Sequence, residues 1–396
     1  KIEAQFRPKD KVAGAFFDHL VSGGSFPNIL QARKMAKEQG VEDVKAVEEA
    51  MELAVVSAAK VAIFGKSEAE AFAALVDLYK RQPNLNTRTS TSVRDQAYST
   101  PIPLAYVAQR LAGITKTDFV YEPTAGNGAL LFTADPDRVV ANELNKGRGD
   151  NLEAQGYAVT DYDASAETTK AKIDTLNGGP FDVVIGNPPF GKVREDGRPK
   201  VFDLNSNRAG YTTTDIDHAI VVRTLGLLKT NGRAVFIVGA PGKTSDAADA
   251  YHGQNKRAFF KFLWDHYNVA DHFTVSGDLY ARQGTSWPVD VIVIEGRGKT
   301  ERPLPAVTPP PVLTSWDQVK EKLDASCASG DMLFGYRMVD SGGGEMRGEM
   351  VLMNYRTGKS VLEKKVVVRN VMSLQCSMKN DTRSYFFALI LNEMNQ

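Results

Sequence analysis

The 396-residue sequence is poor in several features that would assign a chain quickly. Only two cysteines, Cys327 and Cys376, are present, which excludes a disulfide framework and any cysteine-rich zinc module. The five histidines are scattered, and none stands in HExxH or another metal-ligand spacing. No apolar run approaches the ~18 residues that cross a bilayer, and no signal-peptide pattern opens the chain. Neither sign of charge is in excess. The 48 Lys+Arg balance 48 Asp+Glu, so any surface for a polyanion must be local. Three Gly-Lys-Ser/Thr strings, at Gly65, Gly242 and Gly358, lack the glycine five residues upstream that a P-loop requires; Lys60, Ile237 and Met353 stand there. What remains is ordinary globular composition, 42% hydrophobic and 24% charged. A soluble protein of a reducing, cytoplasmic compartment is expected, built from two or three domains.

Residues 27 to 83 read as helical. Val44, Val47, Met51, Ala54, Val55 and Ala58 recur at spacings of three and four, and Ser67 followed by Glu70 forms a capping box ahead of a helix that stops at Pro83. Residues 84–99 turn polar and read as a loop. From Thr100 to Gly296 short apolar runs alternate with helical patterns: 119–122, 139–143, 157–160, 181–185, 234–238 and 289–294. Such runs suit strands buried on both faces, so an α/β domain with a mostly parallel sheet is expected. Pro303, Pro305 and Pro309-Pro310-Pro311 read as a stiff linker, followed by a short helix over 315–323 and a small mixed tail.

Two stretches carry chemistry. In Phe119-Val-Tyr-Glu-Pro-Thr-Ala-Gly-Asn-Gly-Ala-Leu-Leu131 a strand enters a glycine turn and then an expected apolar helix. Gly126 and Gly128 allow close backbone approach to a ligand at the carboxyl end of a strand. The string is not GxGxxG, and Glu122 at the strand end suits an amine or cation better than a pyrophosphate. Glu143, ending the next strand, stands where an acid accepts from ribose hydroxyls. Asp163, or its rival Asp161, follows the third strand and could accept from an adenine amino group. The second stretch is Phe181-Asp-Val-Val-Ile-Gly-Asn-Pro-Pro-Phe-Gly191. Pro188 and Pro189 fix the backbone and donate nothing, leaving the Asn187 side-chain oxygen and the Pro188 carbonyl as acceptors beside the Phe190 ring. That set suits a planar amine whose lone pair is delocalised: two acceptors draw its nitrogen towards tetrahedral geometry while the ring stacks on the plane. Each element also has a blander reading, as a packing turn or a solvated strand end, but Asn-Pro-Pro-aromatic after a buried strand is a specific string.

Glu122-Pro-Thr-Ala-Gly-Asn-Gly128 followed by Asn187-Pro-Pro-Phe190 resembles the class I S-adenosylmethionine-dependent N6-adenine DNA methyltransferases. Gln96-Ala-Tyr-Ser-Thr-Pro101 is similar to their upstream motif, and the motif order is that of the gamma arrangement and of type I modification subunits. Asp217-His-Ala-Ile220, Gly232-Arg-Ala-Val-Phe-Ile-Val238 and Gly284-Thr285 are similar to later elements. The likeness covers residues 90 to 300. Within the family, the stretch from Gln96 to Tyr106 and the helical leader most resemble the methylase segment of phage and plasmid antirestriction proteins that carry a strawberry-notch-type helicase.

The resemblance implies a Rossmann-like class I methyltransferase sheet, S-adenosylmethionine as cofactor, and double-stranded DNA as partner with the target adenine flipped out of the stack. It implies that Tyr98 and Thr100 meet the methionine moiety, together with Glu122, Thr124, Ala125, Gly126 and Gly128. Glu143 would hold the ribose, Asp163 the adenine of the cofactor, and Asn187, Pro188, Pro189 and Phe190 the target base. The implied division is a helical domain over 1–90, a methyltransferase domain over 91–300, and a linker with a small C-terminal segment over 301–396.

Gamma enzymes usually carry a C-terminal recognition domain, yet residues 301–396 show no basic excess. Lys192, Arg194 and Arg198, directly after the Asn-Pro-Pro-Phe turn, are the local candidates for phosphate contact. A helicase or specificity module on a longer chain or a partner is therefore expected, and the start at Lys1 leads us to expect a piece of a larger bacterial, phage or plasmid protein. Two rivals remain: the same chemistry on a protein glutamine or an RNA guanine, and a scaffold module that binds the cofactor without catalysis.

Overall fold

The computed structural model describes residues 2–85, 99–204, 211–241, 247–330, 332–342, 345–354 and 360–369. These divide into two compact units, the first ending at Asp324 and the second beginning at Ala325.

The first unit opens with helices α1 (Ile2–Phe6), α2 (Lys11–Val21), α3 (Ile29–Glu38), α4 (Val44–Ile63) and α5 (Glu68–Arg81). Side-chain caps fix their starts: the carboxylates of Asp10 and Asp43 accept the main-chain N–H groups of Ala13 and Ala46 at 2.8 and 2.7 Å, and Ser67 and Glu70 make the expected capping box. The expected stripe on α4 is buried at Val47, Met51, Ala54, Val55 and Ala58, and α5 ends two residues before Pro83.

An eight-stranded sheet follows. Its strands are β1 (Val120–Glu122), β2 (Val139–Asn142), β3 (Ala158–Thr160), β4 (Phe181–Gly186), β9 (Leu228–Gly239), β10 (Tyr267–Val275), β11 (Val289–Arg297) and β12 (Val312–Leu313), in the order β12-β10-β11-β9-β4-β1-β2-β3. Strands β3, β2, β1, β4 and β9 run parallel to one another, and β11 is antiparallel to both β9 and β10; between β4 and β9 the chain makes two short antiparallel pairs, β5 (Arg194–Glu195) with β6 (Arg198–Pro199) and β7 (Phe202–Asp203) with β8 (Thr212–Thr213). This is the mixed α/β, mostly parallel sheet expected from the sequence. Helices α6 (Ile102–Leu111), α7 (Lys146–Ala154), α8 (Thr168–Asn177), α9 (Ile216–Leu225), α10 (Ala247–Tyr251) and α11 (Gln254–His266) belong to this unit. Tyr121, Phe181, Val184, Phe236 and Ile292 fill its core. That is why β1, β4, β9 and β11 read as continuous apolar runs.

Two local expectations differ from the structure. The apolar residues after Gly128 form successive turns, not a helix: Leu131 N–H donates to the Gly128 carbonyl and Ala134 N–H to that of Leu131. The Gln109 amide bonds the main chain at Ala129 and Thr133 instead, and Pro136 arrives before an α-helical ladder could repeat. The proline-rich stretch, expected as a stiff linker, is packed against the sheet. Leu304 and Ala306 pack on the core, and β12 pairs in parallel with β10 through Thr274–Val312 and Val275–Leu313. Helix α12 (Trp316–Gly330) follows. The second unit holds an antiparallel meander of β13 (Met332–Gly342), β14 (Glu345–Asn354) and β15 (Ser360–Arg369). Among the described residues no helix is long and apolar enough to cross a membrane.

One buried side chain sets the carboxyl end of the sheet. Asn142, 1% exposed, donates through Nδ2 to the carbonyls of Pro123 and Tyr162 at 2.9 and 2.7 Å. Its Oδ1 accepts from Thr160 Oγ1 and Tyr162 N–H at 2.7 and 2.9 Å. The segments following β1, β2 and β3 are thus tied to one amide. Asn142→Ala is expected to cost about 2–4 kcal/mol because it leaves buried donors and acceptors unmatched, as read from the urea midpoint at unchanged slope.

Candidate active site

A cleft of about 520 Å³ opens at the carboxyl ends of β1, β2 and β4. That is where open parallel sheets place ligands. Its walls gather residues spread over most of the sheet: Thr100 before α6, Glu122 to Gly126 after β1, Glu143 after β2, Asp163 after β3, and Asn187 and Pro189 after β4. The close approach of β1 and β4 has a simple origin. Gly186, which precedes Asn187, lies so near the Pro123 ring that a Cβ there would sit 3.2 Å from it.

The turn after β1 depends on Gly126, whose φ of 56° is in the left-handed region. Its N–H donates to Glu143 Oε2 at 2.8 Å, while Glu143 Oε1 accepts the Asn145 N–H at 2.8 Å. Glu143 therefore bridges the β1 and β2 loops from a fixed position. Glu122 is 2% exposed, and its Oε2 has no hydrogen-bond partner among the described residues; neither has Thr124 Oγ1. Burial, reinforced by the nearby Glu143 carboxylate, pushes the Glu122 carboxyl well above the ordinary range. Asp163, not its rival Asp161, lines the cleft; its Oδ1 accepts from the N–H and hydroxyl of Ser165 at 2.8 and 2.7 Å.

Asn187 Nδ2 donates to Thr100 Oγ1 at 2.9 Å, a bond that turns the acceptor end of the amide away from Thr100. Pro188 is buried, while Pro189 and Phe190 are partly exposed. The Phe190 ring rests on Gly239, where a Cβ would lie 3.3 Å from the ring. Gly239 is held on both sides of its backbone: its N–H reaches Asp217 Oδ2 at 3.3 Å and its carbonyl accepts from Lys256 Nζ at 2.6 Å. Burial raises the Asp217 carboxyl to about 6, and holds His218, 3.0 Å from Lys256 Nζ, in its neutral form.

Gly128 does not line the cleft. With φ at 85°, it packs against Leu152 and Tyr157. Tyr98 and Gln96 lie outside the described residues. Lys192, Arg194 and Arg198 are exposed around a hairpin of β5 (Arg194–Glu195) and β6 (Arg198–Pro199), and Arg194 donates to the Gly197 carbonyl within it at 2.9 Å.

Several further residues line the cleft that were not expected to from the sequence. Lys45, Glu48, Glu49 and Glu52 come from α4, Asn127 from the glycine turn and Arg148 from α7. Arg148 makes two bonds to Glu49, at 2.8 and 2.7 Å. Burial and the adjacent Glu49 raise the Glu52 carboxyl to about 7. These residues meet only through tertiary packing.

A family model described as the Eco57I restriction-modification methylase matches residues 75–267, a segment that contains both motifs. Among solved structures, the chain is similar to a modification subunit ascribed to a type I restriction enzyme of Vibrio vulnificus YJ016, with 14% identity and a TM-score of 0.42 over 74% of this chain and 64% of that one. It is similar to a candidate class I S-adenosylmethionine-dependent methyltransferase of Listeria monocytogenes, with 14% identity and a TM-score of 0.40 over 79% and 90%. It also resembles the type IIG restriction endonuclease BpuSI, with 14% identity and a TM-score of 0.43 over 81% and 40%. The chain thus spans less than two thirds of the Vibrio subunit and of BpuSI. No curated protein matches it.

The family match supports a methyltransferase that uses S-adenosylmethionine, and the cleft fits that cofactor. A buried carboxyl lacking a hydrogen-bond partner at Oε2 suits a ligand carrying an ammonium and a sulfonium, and Glu143 and Asp163 offer acceptors to a diol and an aminopurine. Among the described residues no cluster of His, Cys, Asp and Glu could hold a metal ion.

Glu122 generates a prediction for the ligand-free protein. Below the ordinary carboxyl value of 4.5 its proton is present in folded and unfolded states alike. As pH rises the unfolded chain ionises first, so the stability this group contributes is lost until the raised folded value is passed. Glu122→Gln does not titrate. Its melting temperature relative to wild type is therefore expected to climb steadily as pH rises above the ordinary carboxyl value of 4.5, by a few degrees. A difference independent of pH would contradict the buried, protonated carboxyl.

Proposed function

We propose that this chain transfers a methyl group from S-adenosylmethionine to the N6 amino group of adenine in DNA. The observation that carries the reading is the convergence of Glu122, Glu143, Asp163 and Asn187 on one cleft at the carboxyl end of the sheet. Acceptors for a cationic nucleoside cofactor there adjoin acceptors for a planar amine. When bound, S-adenosylmethionine supplies an electrophilic methyl group on a sulfonium. The chain's own residues bind and orient. Glu122 faces the cationic end, Glu143 the ribose and Asp163 the adenine. The Asn187 side-chain oxygen and the Pro188 carbonyl take the two amino hydrogens of the target, and Phe190 stacks on its ring. Pro189 keeps the turn rigid. This positioning frees the nitrogen lone pair without a titrating base.

Flipping the adenine costs a few kcal/mol, and Lys192, Arg194 and Arg198 are well placed in sequence to contact phosphate beside the emerging base. We assign residues 1–90 to the helical leader, 91–300 to the methyltransferase domain and 301–396 to a proline-rich connection, packed on the sheet through β12, and a small C-terminal segment. Sequence recognition is assigned to a specificity or helicase module outside these residues, in an antirestriction setting like that of the proteins the leader resembles.

With methyl-labelled cofactor, purified chain is expected to label adenine-containing duplex DNA. Asn187→Ala should lower the rate by at least about 100-fold while leaving cofactor affinity within a factor of about three. Label in RNA or protein but not DNA would replace the substrate, and cofactor binding without transfer to any of the three would favour the scaffold reading.

A further inference from the structure

We infer that helix α4 of the N-terminal bundle is a working part of the cofactor cleft: its Glu49 and Glu52, acting through the Asn127 side chain, are positioning residues for the Gly126 turn. The inference rests on the cofactor reading above and extends it to a helix remote in sequence from both motifs.

Asn127 directly follows Gly126 and is 4% exposed. Its Nδ2 donates to Glu49 Oε2 at 3.0 Å and to Glu52 Oε2 at 3.2 Å. Its Oδ1 accepts from Asn151 Nδ2 at 3.0 Å, and its main-chain carbonyl accepts from Gln155 Nε2 at 3.1 Å. Every polar group of this side chain is therefore committed, to α4 on the donor side and to α7 on the acceptor side. Arg148 completes the network through its two bonds to Glu49. With the Gly126 N–H already given to Glu143, the turn is fixed from α4, α7 and the β2 loop together. Glu49, Glu52 and Asn127 also form part of the cleft wall, so a shift in this network moves the surface that meets the ligand.

The polarity of the network is specified. Arg148 and the Asn127 amide are donors, and the two α4 carboxylates are acceptors. Asn127→Asp keeps the shape and sets a third carboxylate against the other two, whereas Glu52→Gln added to it restores a donor–acceptor pair in the opposite sense. A pair of ionic staples that merely fastened the bundle to the sheet would not make cofactor affinity follow this reversal.

The test is calorimetric titration with S-adenosylmethionine, at a pH above the Glu52 value of about 7 so that its carboxylate is ionised, of wild type, Asn127→Asp, Glu52→Gln and the double variant. Melting temperatures of the ligand-free proteins are measured alongside. Asn127→Asp is expected to weaken binding at least about tenfold, and the double variant to recover most of that loss. Should Asn127→Asp fail to fold, Asn127→Ala, which removes the grip without adding charge, is expected to weaken binding about fivefold. Lower melting temperatures with affinity unchanged would overturn the inference and leave the network a structural staple. Failure of the wild type itself to bind would overturn the cofactor reading and this inference with it, an outcome distinct from selective insensitivity of the variants.

Discussion

Four hydrogen bonds to the buried Asn142 amide hold the carboxyl end of the sheet in register, and the remaining features of the cleft depend on that lacing. The Pro123 carbonyl, the Thr160 hydroxyl and both polar main-chain groups of Tyr162 converge on one side chain. Glu122, Glu143 and Asp163 then emerge within a few residues of fixed points. A fully satisfied buried amide suits this task, since any shift of one loop leaves a polar group unmatched in a low-dielectric site. Gly186 against Pro123 adds the second constraint, bringing the Asn187 turn beside the Glu122 strand end.

Charge defines what such a cleft accepts. Among the described residues, Glu48, Glu49, Glu52, Glu122, Glu143 and Asp163 line it against Lys45 and Arg148. Burial answers part of the excess by raising Glu122 and Glu52, so protons stand in for cations until a positively charged ligand arrives. The same excess argues against a pyrophosphate ligand, consistent with a turn that is not GxGxxG. Behind the Asn187 turn the opposite sign appears. Lys256 backs Gly239 and keeps a cation near the buried Asp217 and neutral His218.

Much of this architecture is legible in the amino-acid sequence, for identifiable reasons. Strands β1, β4, β9 and β11 are buried on both faces and so appear as unbroken apolar runs. The capping box at Ser67 and the stop at Pro83 are local chemistry. Strand β10 escapes because Asp271, His272 and Thr274 interrupt it. Thr274 is satisfied in the core by Asp290, the residue to which Tyr251 also donates. The expected helix after Gly128 fails because Gln109, from a different element, takes the bonds a helix would have made. Within the cleft, Glu122, Glu143 and Asn187 are readable because each sits at a strand end. The α4 wall is not, since the partners of Asn127 lie 78 and 75 residues upstream and nothing local marks them.

The most direct test of the account is a crystal structure of the chain with S-adenosylhomocysteine bound. The nucleoside is expected in the cleft, with Glu143 hydrogen-bonded to the ribose hydroxyls, Asp163 beside the purine and the sulfur directed towards Asn187. A ligand seated elsewhere, or one whose sulfur faces away from the Asn187 turn, would contradict it.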